Sequence, residues 1–155
     1  MDVSVIITTY NRLPKLKMAL ASVNAQLNAD FEIIIVDDGS TDGTKEFLQS
    51  LSQPNLKFHI KRYNRGLANS RNIGVEMATR KLVAFLDDDD IWLDPLKLNK
   101  QVKLFQPKCI NCTSVQINQK VVTPKLPENW KRRLVYRNGF LHTSTIMLER
   151  HSIIS

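Results

Sequence analysis

Short runs of consecutive apolar residues alternate with segments of helical period through the first half of the chain. Residues 3–8 are rich in β-branched side chains and read as a strand. Leu13, Leu16, Leu20, Val23 and Leu27 recur at three- and four-residue steps, which predicts one face of a helix. Asn11 is the expected cap of that helix, and Pro14 suits its first turn. Residues 31–36 hold Ile33, Ile34 and Ile35 without a polar break, the pattern of a strand buried on both faces in a parallel sheet. Asp37, Asp38, Gly39 and Ser40 predict a turn, and Asp42 a cap for a helix carrying Phe47, Leu48 and Leu51. Leu56, Phe58 and Ile60 alternate as a third strand. Residues 67–78 read as a helix with a small-residue face at Ser70 and Gly74, and residues 82–86 as a fourth strand. This order predicts an α/β fold, a mostly parallel Rossmann-like sheet flanked by helices with right-handed crossovers.

The pattern changes beyond residue 95. A helix over 95–105 would bury Leu98, Val102 and Phe105. Residues 110–116 and 120–123, joined by a turn at Asn118 and Gln119, read as a hairpin, a small antiparallel element in the C-terminal third. Residues 124–138 are polar and carry prolines, which suits a loop or lid, and residues 144–148 are a last strand candidate.

Composition narrows the classes. With 155 residues and 43% hydrophobic content the chain can build one domain with a core, and 24% charged residues argue against disorder. No stretch has the apolar length of a membrane span, and no signal-peptide pattern is visible; peripheral membrane association stays open. The net charge of +7, with Lys131, Arg132, Arg133 and Arg137 close together, favours anionic partners such as nucleotides or lipid headgroups. Few aromatics interleave with these cations, which speaks against a nucleic-acid groove. Cys109 and Cys112 form a lone C-x-x-C without suitably spaced partners among His59, His142 and His151. They read as half-buried strand thiols, and two free thiols fit a cytoplasmic location.

Candidate chemistry gathers where the strands end. Four consecutive aspartates, Asp87 to Asp90, follow the fourth strand and precede Ile91 and Trp92. Adjacent carboxylates repel, and a hard divalent cation with oxygen ligands would relieve them. Thr8, Thr9 and Tyr10 leave the first strand, and Asp37 and Asp38 the second. In one parallel sheet these groups share the carboxyl-end rim, where open α/β sheets bind ligands. Each also has a plain structural reading, as a strand end, a turn or a solvated acidic loop. A dinucleotide fold would need a glycine-rich loop after the first strand, and residues 8–12 contain none. Trp92 reads as a packing anchor under the acidic loop rather than a sugar platform.

Four segments occur in order: VSVIITTYNR from Val3, IIIVDDGSTDGT from Ile33, NRGLANSRNIG from Asn64 and FLDDDDIW from Phe85. Together they resemble the donor half of family 2 glycosyltransferases, which have the GT-A fold, and TSTIMLER from Thr143 resembles the same family more loosely. The resemblance implies a single glycosyltransferase domain over 1–155, with a nucleotide-sugar-binding half at 1–105 and the start of an acceptor-side region at 106–155. It implies a nucleotide-diphosphate sugar, UDP-linked in many members, manganese or magnesium, and a carbohydrate or lipid-linked acceptor reached at the inner face of the membrane. Carried over by position, Thr8 and Tyr10 would edge the nucleobase and Asp38 would accept a hydrogen bond from it. Arg65 would lie near the base or the phosphates. Asp87 and Asp89 match the DXD metal motif, and Asp88 would reach the ribose or the sugar. Arg71 either helps the leaving group or pairs with an acid, and His142 reads as structural. Inverting transfer needs a base. The family's base lies downstream of the TSTIMLER segment, so no residue here is expected to be that base. The alternative is a non-catalytic nucleotide-binding or assembly module on the same fold.

Overall fold

The computed structural model describes residues 3–106, 111–113, 115–117, 120–122 and 143–154. In chain order the elements are β1 (Val3–Thr9), α1 (Leu13–Asn24), β2 (Phe31–Asp37), α2 (Thr44–Ser50), β3 (Leu56–Ile60), α3 (Leu67–Met77), β4 (Leu82–Asp87) and α4 (Lys97–Lys103). They continue with β5 (Asn111–Cys112), β6 (Val115–Ile117), β7 (Lys120–Val122), a 3-10 turn at Thr143–Thr145, β8 (Ile146–Glu149) and α5 (His151–Ile154). The main sheet runs β3-β2-β1-β4-β8-β5. Its first four strands are parallel, and β8 and β5 join antiparallel.

The predicted α/β class is thus observed, with a C-terminal antiparallel addition. Residues 110–116 do not act as one hairpin arm. Asn111 and Cys112 join the main sheet beside β8, and β6 and β7 form a separate two-stranded ribbon. The expected turn residues Asn118 and Gln119 lie outside the described residues, as do Cys109, His142, residues 124–138 and the late basic cluster. Cys112 is half-buried, and burial pushes its thiol up.

Side-chain alternation in the buried strands feeds two cores. Val3, Val5, Ile7, Ile33 and Ile35 pack with Leu16, Leu20 and Val23 of α1 and with Leu48, Trp92 and Leu98. Ile6, Ile34, Val36, Val83 and Phe85 pack on the other face with Val75 of α3. The uninterrupted apolar run of β2 has this cause, because both of its faces are covered. The small-residue face of α3 is also accounted for. A Cβ on Gly74 would stand 2.5 Å from Cγ2 of Ile6, so glycine lets the helix lie against β1.

The start of α1 departs from expectation. Asn11 sits at φ 51, outside the helix. Its Oδ1 accepts from the Thr41 amide, and its own N–H donates to Oγ of Ser40. The cap of α1 comes instead from Asp42, whose Oδ2 accepts from the Leu13 amide at 2.9 Å. The other oxygen of Asp42 accepts from the amide and hydroxyl of Thr44, so one carboxylate caps α1 and α2. Burial works to raise the Asp42 carboxyl, but Thr44 and the Leu13 amide outweigh it and hold it low. The loops after β1 and β2 are thereby joined into one unit.

Candidate active site

Strand register sets the site. Thr8 lies opposite Asp87 and Thr9 opposite Asp37, so β1, β2 and β4 end level at one rim. Asp37 is fully buried and closes the turn after β2 by accepting from the amide and hydroxyl of Ser40. Burial pushes its carboxyl up. Gly39 follows at φ 83, and a Cβ there would stand 3.0 Å from the Tyr63 carbonyl carbon and 3.1 Å from the Asn64 nitrogen. Glycine therefore permits both the left-handed turn and its contact with the 63–64 backbone.

Asp38 completes that contact. Its oxygens accept from the Arg65 amide at 2.8 Å, the Gly66 amide at 2.9 Å and the Lys61 ammonium at 2.5 Å. Burial would raise the Asp38 carboxyl, but Lys61 and the two amides prevail and keep it below the usual range. A buried carboxylate so held stays ionised and has one lone-pair direction left for a ligand donor.

The acidic run divides its partners. Asp87 Oδ1 accepts from Arg71 at 2.7 Å, and the Asp87 amide donates to Oγ of Ser144. Asp88 is buried; one oxygen accepts from Oγ1 of Thr9 at 2.8 Å and the other from Arg12 at 3.2 Å. The same Arg12 nitrogen reaches Asp89 at 2.9 Å. Asp88 first and then Asp89 raise the Arg12 guanidinium above its ordinary value. Below this run Trp92 is buried, donating its amide to Ser22 and its indole N–H to the Ser144 carbonyl. It is a packing anchor, as expected.

A cavity of about 320 Å³ opens between these loops. Thr8, Thr9, Tyr10 and Arg12 line one side, and Asp38, Asn64, Gly66, Leu67, Ser70 and Asp88 the rest. Of the residues singled out from sequence, Thr8, Tyr10, Asp38 and Asp88 meet here. Asp87 and Asp89 stand beside the cavity without lining it. Arg65 contributes its amide to Asp38 and is among the residues that line a second cavity. Sequence reasoning missed Arg12, Lys61 and Ser144. Arg12 lies in the TTYNR segment and Ser144 in TSTIMLER, so both had a signal; Lys61 had none.

Carboxylate oxygens are the ligand type a hard divalent cation takes. Asp87 and Asp89 are each held by an arginine, Arg71 and Arg12, and among the described residues no three acid, histidine or cysteine side chains converge.

The sequence matches the family described as "Glycosyl transferase family 2" over residues 4–153. The chain belongs to that family. Its fold is GT-A. An uncharacterized glycosyltransferase of Nostoc sp. is 44% identical over 108 residues, covering 68% of this chain and 33% of that protein. An Escherichia coli relative, named as a UDP-Glc:alpha-D-GlcNAc-diphosphoundecaprenol beta-1,3-glucosyltransferase, is 33% identical over 102 residues, covering 66% of this chain and 40% of its own. The mannosyltransferase PcManGT of Pyrobaculum calidifontis, solved with GDP-Man and Mn2+, shares the fold at a TM-score of 0.72 and 24% identity, covering 98% of this chain and 45% of that one. The chain thus spans less than half the length of these relatives. Among its described residues no helix is long and apolar enough to cross a membrane.

Proposed function

We propose that the rim cavity binds the nucleoside diphosphate of a sugar donor, a uridine nucleotide, and that the protein transfers the sugar with inversion to a lipid-linked or carbohydrate acceptor. The observation carrying this reading is the meeting of Thr8, Tyr10, Asp38 and Asp88 around one cavity at the carboxyl ends of β1, β2 and β4. Asp38, held ionised by Lys61, accepts from the N–H of the base. Tyr10, 44% exposed, lays its ring along the base. Asp88 accepts from a ribose or sugar hydroxyl in place of Thr9 or Arg12. Asp87 and Asp89 would hold manganese or magnesium, whose charge stabilises a departing diphosphate. Arg12 bridges Asp88 and Asp89 and lines the cavity, so it can turn its half-exposed guanidinium from the acids to a phosphate. The E. coli relative's named donor and diphospho-lipid acceptor support the substrate classes, and with them action close to a membrane.

Calorimetric titration of UDP with manganese, and again with chelator, tests the reading. Binding that needs the metal in the wild type and loses that need in Asp89→Asn is expected. Unchanged metal-dependent affinity in Asp89→Asn would remove the acidic run from the site.

A further inference from the structure

A second cavity of about 410 Å³ lies where β3 ends at the open edge of the sheet. His59, Lys61, Arg62, Tyr63, Arg65 and Asn69 line it, and no acidic residue does. The charge of Lys61 is answered from behind by Asp38. Arg62 and Arg65 form no ion pair among the described residues, whereas Arg12, Arg71 and Arg80 each pair with an aspartate. Two arginines without an ion pair among the described residues thus line one cavity, and an anion bound there would be attracted by both charges.

The loop that carries them is fixed. The Arg65 and Gly66 amides are tied to Asp38, and the 63–64 backbone packs against Gly39. Arg62 also lies over the Tyr63 ring at 5.1 Å. A pinned backbone lowers the ordering cost of binding. Guanidinium forks match phosphate oxygens in two-point contacts, and the Asn69 amide adds neutral donors. We propose that this cavity is a second anion site, which takes the phosphate or diphosphate group of a ligand distinct from the donor in the rim cavity. The site needs no metal, because its positive charge is built in. It stands apart from the reading of the rim cavity, since none of its charges comes from the acidic run.

The test titrates inorganic pyrophosphate into the folded chain with chelator present, at low ionic strength, in wild type, Arg62→Ala/Arg65→Ala and Asp88→Asn. Expected is binding in wild type and Asp88→Asn and at least tenfold weaker binding in the double variant, with matching circular-dichroism melts showing that all three are folded. Arg62→Lys/Arg65→Lys keeps the charge without the fork and is expected to fall between. Cosedimentation with phosphatidylglycerol vesicles locates the source. Arginine-dependent vesicle binding supports a lipid headgroup, and arginine-dependent pyrophosphate binding without it supports a soluble phosphoester. Absence of both in folded wild type overturns the proposal, as does pyrophosphate binding that ignores the arginines or vanishes with Asp88→Asn. Loss of metal-dependent UDP binding alone would count against the rim-cavity reading and leave this one standing.

Discussion

Both ends of the parallel sheet bury carboxylates, and Glu32 at one end and Asp88 at the other are satisfied differently, although Asp37 and Asp38 beside Asp88 are held by fixed donors as Glu32 is. At the amino end Glu32 of β2 accepts from the Ser4 hydroxyl, the Thr79 amide and hydroxyl, and Lys57. Three of these four donors belong to short side chains or backbone. At the carboxyl end Asp88 is about as buried, yet one of its two partners is Arg12, whose side chain is 49% exposed. Asp89 depends on Arg12 and, at 4.0 Å, on Lys15. Backbone and hydroxyl donors cannot leave, so Glu32 keeps three contacts even if the half-exposed Lys57 swings away, whereas Asp88 would keep only Thr9 without Arg12. Long exposed cations can swing away at small cost, because exposed pairs contribute roughly 0–1 kcal/mol. The difference separates a carboxylate that holds the fold from carboxylates free to hold something else.

The sharpest test exchanges the two. Glu32→Ala leaves the Thr79 amide and Lys57 without their buried acceptor and should cost ~3 kcal/mol in urea unfolding. The acid's pH dependence has the same origin. Burial alone would raise Glu32, but Lys57, Ser4 and Thr79 win and bring it to about 2 from the ordinary 4.5. Its contribution is therefore complete above pH 4.5 and is lost as the pH falls from 4.5 toward 2. The Glu32→Ala variant should show a shallower acid limb over that window. Asp89→Asn should move stability by no more than ~0.5 kcal/mol while ending metal-dependent UDP binding. A large stability loss in Asp89→Asn would erase the distinction between the two ends.

A smaller effect is expected where backbone, not charge, shapes the rim. Gly39→Ala puts a Cβ 3.0 Å from the Tyr63 carbonyl carbon at φ 83. Strain of ~1–3 kcal/mol follows. Because the contact is with the loop that Asp38 holds, nucleotide affinity should fall together with the melting temperature. Gly43→Ala has a similar φ of 90 and only the Leu13 side chain at 3.6 Å, so it should lower stability less and leave affinity near wild type. Equal losses of affinity in the two variants would show that backbone strain alone, without the 63–64 contact, accounts for the first.

Much of this was legible from the chain. Ile33, Ile34 and Ile35 announced a doubly covered strand, and the acids after β4 announced the rim, because periodicity and strand ends are local signals. The origin of the α1 cap was not legible. Asn11 and Asp42 are both good capping residues, and only the joining of their loops decides that Asp42 serves two helices. Arg65 shows the same limit: its amide is tied to Asp38 and the residue lines the second cavity, neither of which spacing can show. Residues 110–116 read as one alternating run, and nothing within such a run says which part pairs with β8.

Lys97 gives the converse of Glu32, a buried charge without a network. Its ammonium lies 3.6 Å from the centre of the Trp92 ring, is buried, and has no hydrogen-bond partner among the described residues. Burial lowers it to about 7 from 10.5. Stability rises with pH here as it does for the acid, but now it is the protonated, charged form that opposes folding. Below pH 7 both folded and unfolded chains carry the proton, and the cost of the buried charge is fully present. Between pH 7 and 10.5 only the unfolded chain holds it, so stability rises with pH. The indole face offsets part of the cost, by ~2 kcal/mol at a desolvated site. Lys97→Met keeps the stem without the charge and should gain ~1–4 kcal/mol at pH 6, with the gain shrinking as pH approaches 10.5. Urea unfolding of both proteins at stepped pH measures this. A constant difference across the range would mean that Lys97 packs as an aliphatic chain whose charge reaches water.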